Sequence, residues 1–518
     1  MKRWCHGLII LSVLAAGPRA IADDPPDDAA QNELTADNVK TVIEAAAKSV
    51  DANSMVIAVT NRKGEILGIF RQPNAPLTSI GNYGLSVDTN ELAVALARTA
   101  SFFSNDEAPL SSRTVRFISG VHFPPGIFFT SNADLYGIEN TNRGCPFNAK
   151  YNDGKEVPPA RSIEGSKRGN EMGTDAKLLG LGILTGKPDV MDKDQPPVDP
   201  VVNPGGVPIF KDGRLVGGVG VAGVPGPIAE YAAFKGAFAD GFGPKLPLPT
   251  PGVVVIGGIE LPFVNQMEQP SGTNPGPLVG DYLWGPRESS GPVPEDYLIG
   301  PRAGMFGLTE DDVRTIINNT IETAKQTRAV IRLPVGRKTK FVIAVADMDG
   351  QLLAVNRMPD ATVFSIDVAV AKSRNVIYFS GDKRLAEDLP GVPMNTAVTN
   401  RTISYGAQPF FPVGIDYTLP GPFFNLFLLD KEQPCRQGFQ AKSDYQNGIV
   451  FFPGSLPLYK NGMLVGGLGV SGDGVDQDDF ATAAGAKGFE APPSIRADRV
   501  TIRNVRLPYQ KFPRNPTK

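Results

Sequence analysis

The chain has 518 residues, 41% of them hydrophobic and 20% charged, with a formal net charge of −3. That length suits two or three globular domains with real cores, and the charge balance offers no basic footprint, which argues against a nucleic-acid partner. With three cysteines and two histidines in the whole chain, a zinc or iron centre built from several such side chains is excluded.

The first 22 residues read as a secretory signal. Lys2 and Arg3 form a basic start, Leu8 to Ala16 an apolar run too short to span a bilayer, and Ala20-Ile21-Ala22 a cleavage site, which predicts a mature start at Asp23. Removing it takes away Cys5 and His6. Cys145, Cys435 and His122 remain. No other stretch is long and apolar enough to cross a membrane, so the mature protein is expected in a periplasm or outside the cell. Residues 23–33 are an acidic, Pro-rich lead.

A helix starts at the N-cap Thr35 and runs to about Ala52, with Val39, Val42, Ile43, Ala46 and Ala47 at helical spacing. Its counterpart starts at Leu308-Thr309 and runs to about Lys325. Hairpins follow, Met55 to Val59 with Ile66 to Arg71, and Phe341 to Val345 with Leu352 to Arg357; Val-Ile-Ala-Val is identical in both. Arg71 and Arg357 each precede a Pro-x-Ala turn, where they either bond turn carbonyls or face an anionic ligand. Second helices cover 86–103 and 365–379, with Ser86 and Ser365 as N-caps.

The next segments, 111–127 and 399–415, carry the densest chemistry. Arg113 pairs with Arg401, Thr114 with Thr402, Phe117 with Tyr405 and His122 with Phe410. Long insertions rich in Gly, Pro and Asn then fill 128–204 and 416–453. Each holds one cysteine, Cys145 and Cys435. In an oxidising compartment one cysteine per repeat suggests a bridge. It would close a loop of roughly 300 residues, worth ~4–5 kcal/mol in the chain-entropy model. Free buried thiols or thiolate ligation are the alternatives.

The end of each copy is the most regular stretch. Residues 206–237 and 456–487 share Pro-apolar-apolar-Lys-x-Gly-x-Leu-Val-Gly-Gly-x-Gly-Val, which reads as strand, Gly-ended turn, strand and helix. The uncharged glycine-rich second strand lets another backbone, or a flat ligand, come very close. The chain is therefore a tandem duplication. Its second copy, through Gly469-Val470-Ser471-Gly472, Asp478 and Ala484-Gly485, resembles the end of a GlcG/HbpS-type haem-binding domain. The first copy keeps Gly205-Gly206-Val207-Pro208 but has Ala222 for the serine and Ala229 opposite Asp478. The helix entered through Ser365, with Ala369 and Lys372, also resembles the family's, and Arg98 takes the place of that lysine in the first copy.

The resemblance implies haem or a related tetrapyrrole as ligand. A haem needs an apolar slot, cations for its propionates and an axial donor. His122 is the candidate axial ligand and the one candidate metal ligand; Arg113, Thr114, Arg401, Thr402 and Tyr405 are candidate binding residues. Covalent attachment is excluded, because no Cys-x-x-Cys-His occurs.

The expected fold is α/β. Two homologous domains, 34–240 and 307–489, each place helices on an antiparallel sheet and pair as a pseudo-two-fold dimer within one chain. A Pro/Gly-rich linker covers 241–306 and a tail 490–518. The function expected is haem capture, storage or redox sensing by an exported protein, with a further protein partner or a homo-oligomer left open. The alternatives are an interaction or structural protein that kept the fold without the ligand, and an enzyme acting on small oxygenated molecules. No nucleophile–base pair supports the enzyme.

Overall fold

The structure is a computed structural model that describes residues 33–81, 86–119, 123, 136–138, 141–142, 145, 204–245, 252–415 and 418–517. Residues 1–22, expected as a secretory signal, His122 and most of the 128–204 insertion lie outside the described residues.

In the first domain, α1 (Ala36–Lys48) is followed by β1 (Val56–Asn61), β2 (Ile66–Arg71), the short β3 (Thr78–Ile80) and β4 (Ser86–Asp88), α2 (Thr89–Phe103) and α3 (Ser112–Ser119). Then come β5 (Gly206–Lys211), β6 (Arg214–Ala222), α4 (Gly226–Ala237) and a hairpin of β7 (Val253–Ile256) and β8 (Ile259–Pro262). The segment between the domains contributes β9 (Asp281–Trp284) and β10 (Asp296–Ile299). The second domain repeats the plan: α5 (Glu310–Ala324), β11 (Val342–Asp347), β12 (Leu352–Arg357), α6 (Phe364–Ser380), α7 (Asn400–Gly406), α8 (Phe424–Glu432), β13 (Ser455–Lys460), β14 (Met463–Ser471), α9 (Val475–Gly485) and the small hairpin β15 (Thr501–Ile502) and β16 (Val505–Arg506).

Each domain holds one five-stranded antiparallel sheet, ordered β5-β6-β1-β2-β9 in the first and β13-β14-β11-β12-β10 in the second. The period of two in a strand decides which helices each residue meets. Ile57 and Val59 pack with α1 and α4, whereas Val56 and Ala58 pack with α2. In the second domain Ile343 and Val345 face α5 and α9, while Val342 and Ala344 face α6.

Thr35 and Thr309 cap α1 and α5 with capping boxes completed by Asn38 and Asp312, so orphan amides at each helix start find side-chain acceptors. The second helices start differently from the sequence expectation. Asp88, not Ser86, caps α2, accepting from the Asn90 and Glu91 amides, and Ser86 opens β4. The N-cap position of α6 is Val363, without a side-chain cap.

Every residue of α2 and of α6 is buried. The glycines of β6 and β14 let these helices lie directly on the sheet. A Cβ on Gly220 would meet the Ala93 carbonyl, and one on Gly469 would lie 2.6 Å from the Ser373 amide. The other side of these helices is covered partly by the opposite domain. One hydrophobic cluster contains Phe103, Leu110 and Val115 together with Val342, Phe364 and Val368, and the Phe103 and Phe364 rings stack 4.2 Å apart. The insertion of the first domain also reaches the second. Tyr136 sits in the second domain's core against Phe427, Asn142 Nδ2 donates to the Phe364 carbonyl, and Cys145 is disulfide-bonded to Cys435.

Candidate functional site

The structure places the candidate binding residues on two short helices. Within the 111–127 and 399–415 segments, Ser112–Ser119 and Asn400–Gly406 form α3 and α7. Thr399 caps α7 through a capping box with Thr402. Thr114 Oγ1 donates to the Pro262 carbonyl at 2.9 Å, and Thr402 Oγ1 to the Pro508 carbonyl at 2.7 Å. Both threonines thus tie down the strand that leaves a small hairpin: Leu261-Pro262-Phe263 in the first domain and Leu507-Pro508-Tyr509 in the second.

The two arginines are equally committed. Arg113 holds Glu230 through two parallel bonds of 2.7 and 3.0 Å, both groups buried. Arg401 bonds Asp479 at 2.6 Å and Asp476 at 2.7 Å. Glu230 and Asp479 occupy equivalent positions, since β6 and β14 differ by a constant offset. Each carboxylate also accepts an amide of the chain that follows the hairpin: Gln266 N–H to Glu230 at 3.1 Å and Lys511 N–H to Asp479 at 3.0 Å. Paired, buried ions with further hydrogen bonds are held in place by the cost of unpairing them. These arginines lock helix, sheet and hairpin together in each domain, and their charge is already balanced. Tyr405 is half-buried with its ring edge-on to Phe411, and burial raises its phenol pKa although the Val413 amide bonds it. The described candidates therefore form two equivalent structural locks rather than one converging site. Among them the arginines do not fit a role as free propionate partners. Arg71 and Arg357 bond turn carbonyls, those of Ala75 and Ala361.

The polar group that sets the second domain apart is Lys372. Gly218 leans on Ala97 and Gly467 on Ser373, so Arg98 aligns with Arg374, and Leu96 stands where Lys372 does. This corrects the sequence pairing of Lys372 with Arg98. Arg98 and Arg374 make the same bond, Nε to the carbonyl of Gly64 or Gly350, at 2.9 Å in both. Lys372 is fully enclosed. Its Nζ donates to the Val470 carbonyl at 2.8 Å and Asp478 Oδ2 at 3.0 Å, and lies over the Phe452 ring. Burial pushes the Lys372 pKa down and the Asp478 carboxyl up to about 7, the latter resisted by the lysine charge. Asp478 Oδ1 is buried without a hydrogen-bond partner. The first domain replaces both partners, with Leu96 and Ala229. Nearby on the outer side of α6, Asp367 accepts the Asn142 amide at 2.7 Å, and burial raises its carboxyl to about 6.

A second charge cluster joins the domains. Arg62 of the first domain bonds Asp360 of the second at 2.6 Å, and Arg332 bonds Asp473 and Asp360, each at 2.5 Å, and Glu107 at 3.2 Å. Burial opposes charge on Asp360, but Arg332 and Arg62 outweigh it and hold the carboxyl well below its usual range. Among the described residues no group of three or more His, Cys, Asp or Glu side chains could hold a metal ion, and no helix is long and apolar enough to cross a membrane.

Two antiparallel α/β domains with glycine-rich strands under a buried helix define the class. Residues 308–487 match the family model HbpS-like, described as haem degrading protein HbpS-like. Residues 308–487 are thus similar to this family, in agreement with the resemblance read from the second copy. Among curated proteins, the corrinoid adenosyltransferases PduO of Salmonella typhimurium and Citrobacter freundii are each 26% identical, over 30% and 32% of this chain and 35% and 36% of their own. The match spans about a third of the length of these relatives. Among solved structures, a PduOC:heme complex is similar at 20% identity over 37% of this chain and 97% of that one, TM-score 0.23. A double mutant of Streptomyces reticuli HbpS is similar at 17% identity over 36% and 94%, TM-score 0.22.

The sequence pointed to the arginine and threonine pairs but not to their role. Their carboxylate partners lie 117 residues away for Arg113 and 78 for Arg401. The interdomain segment carries a repeated heptad, Asp-Tyr-Leu-x-Gly-Pro-Arg at 281–287 and 296–302, a sequence signal for the two edge strands β9 and β10.

Proposed function

We propose that this is an exported haem- or tetrapyrrole-binding protein. The observation that carries the reading is the match of 308–487 to the HbpS-like family. The secretory signal at 1–22 supports export to a periplasm or the exterior. His122 remains the candidate axial ligand, and a haem there would draw its iron donor from this imidazole, in a segment also carrying Phe117 and Phe123. Haemin titration of the mature chain, followed by the Soret band beside His122→Ala, tests it. The expected result is a saturable band that shifts in the variant. Association no different from nonspecific haemin uptake would overturn the reading.

A second reading, an interaction protein that kept the fold without the ligand, is favoured by one observation. Arg113 and Arg401, the cations the resemblance offered to propionates, are neutralised by Glu230, Asp476 and Asp479. If haemin fails to saturate, this reading takes its place.

A further inference from the structure

The two heptads between the domains are docked in the same way on two different sheets. Asp281 pairs with Arg71, Tyr282 with Phe70 and Trp284 with Ile69. Asp296 pairs with Arg357, Tyr297 with Asn356 and Ile299 with Val355. These partners are equivalent between domains, and the register slips by one residue at the same place in both. The likeness continues past the strand. The Arg287 amide donates to the Leu67 carbonyl at 2.8 Å, and the Arg302 amide to the equivalent Leu353 carbonyl at 3.0 Å. Pro286 and Pro301 have no N–H to offer, so the ladder pauses there in each case.

Connectivity does not explain this. The first domain receives its edge strand from chain that follows it, through residues 263–280. The second receives its strand from chain that precedes α5. A strand that arrives from opposite ends, yet lands in one register, is positioned by its own residues and by the groove. The side chains account for the selection. Tyr282 meets the Phe70 ring edge-on at 5.2 Å, Trp284 is buried against the sheet, and Arg287 stacks over Trp284 at 4.1 Å. Backbone pairing supplies affinity and the alternating pockets supply specificity, as in other cases of strand addition.

The two docked heptads differ in how they are covered. Leu298 is 4% exposed within the core shared by the domains, whereas the equivalent Leu283 is 42% exposed. The first groove's occupant packs instead against the first domain, with Trp284 among Val56, Leu92 and Ala93 and the Ser289 amide donating to the Leu34 carbonyl.

We propose that the edge of β2 in the first domain is a peptide-docking groove that reads Asp-Tyr-Leu-apolar-Gly-Pro-Arg. It accepts that heptad from another polypeptide in place of residues 281–287. The partner is a protein with an extended segment of this sequence. In the resting chain the groove is filled in cis, at the high effective concentration a tether gives, so entry of the partner requires displacement. This inference is independent of haem.

The test uses the full mature chain with its disulfide intact and a fluorescein-labelled peptide of residues 279–289. Polarisation is measured on the parent, on Tyr282→Ala/Trp284→Ala, and on a chain whose 281–287 is replaced by Gly/Ser of equal length. The variants are expected to bind at least about ten-fold more tightly than the parent, and to accept a peptide of residues 294–304 as well, but not a scrambled one. Equal binding of parent and folded variants, or of native and scrambled peptides, overturns the proposal. If the variants fail to fold, hydrogen exchange on the parent decides it. Saturating peptide should raise exchange in 281–287 while 66–71 stays protected, and no change there overturns the proposal.

Discussion

Lys372 Nζ lies 3.0 Å from Asp478 Oδ2 inside the second domain, with both side chains almost wholly enclosed. At the same two places the first domain carries Leu96 and Ala229. The domains have solved one packing problem twice, once with a buried ion pair and once with an aliphatic pair. Replacing Lys372 by Leu alone leaves a carboxyl without its cation, and at pH 8 the expected cost is about 3–5 kcal/mol. Lys372→Leu with Asp478→Ala transplants the first domain's solution and should come within about 1–2 kcal/mol of the parent or exceed it. Urea unfolding of both variants measures this; equal losses in the two would show that the pair is needed as such.

Asp367 makes stability depend on pH in a definite direction. Its carboxyl is raised to about 6 by burial, against the Asn142 amide, Asn447 and Arg374. The unfolded chain titrates near 4, so the folded state binds the extra proton between about pH 4 and 6. Its contribution is therefore fully present at low pH and lost as pH rises through that window, by roughly 3 kcal/mol. Asp367→Asn should flatten the dependence of the unfolding midpoint on pH between 4 and 6.5. A slope unchanged from the parent would show that Asp367 does not titrate there.

Arg401 separates a structural role from a ligand role. If its charge serves Asp476 and Asp479, Arg401→Ala should destabilise the second domain by roughly 3–5 kcal/mol. Haemin affinity of the folded fraction should then stay within about two-fold, or ~0.4 kcal/mol. A haemin Kd raised ten-fold in protein shown to be folded would return Arg401 to the binding site.

Gly469 and Gly220 are predicted to be intolerant. An alanine at Gly469 would press on Ala369 and Ser373, backbone atoms of a helix buried on every side. The expected cost is about 1–3 kcal/mol or more, seen as a lowered thermal midpoint. Gly462, whose Cβ would meet nothing within 4 Å but whose φ is +77°, makes a useful control for backbone strain without a clash.

The bridge between Cys145 and Cys435 closes a span of 290 residues. Alkylation of the denatured mature chain should label both cysteines after reduction and neither before it. Cys145→Ser should lower stability, by up to roughly 5 kcal/mol in the chain-entropy model.

Much of this architecture could be read from the residues. The threonine caps at Thr35 and Thr309, the paired Val-Ile-Ala-Val strands and the glycine-rich second strands declare the helices, the hairpins and the duplication, because capping, alternation and turn chemistry are local. Long-range partners were not legible. Whether the glycines of β14 admitted a ligand or a helix depended on where α6 packs, and it is the α6 backbone that lies there. The same packing sets which residue of α2 matches Lys372: Leu96, two residues from the Arg98 that the motif resemblance suggests. Arg113 looked like a cation awaiting an anion because nothing near it in sequence reveals Glu230. The segment read as a linker supplies an edge strand to both sheets.

Among the described residues the charge cluster around Arg332 has no counterpart at the equivalent positions. Met348 stands at the place equivalent to Arg62, Asn74 at that of Asp360, and Val224 at that of Asp473. In an assembly of two identical chains related by a two-fold axis, every contact must be made twice or be its own mirror partner. Joining both halves in one polypeptide lifts that requirement. Mutations on one side are no longer copied to the other, so this seam can be bolted along a single edge while the opposite edge diverges for other uses.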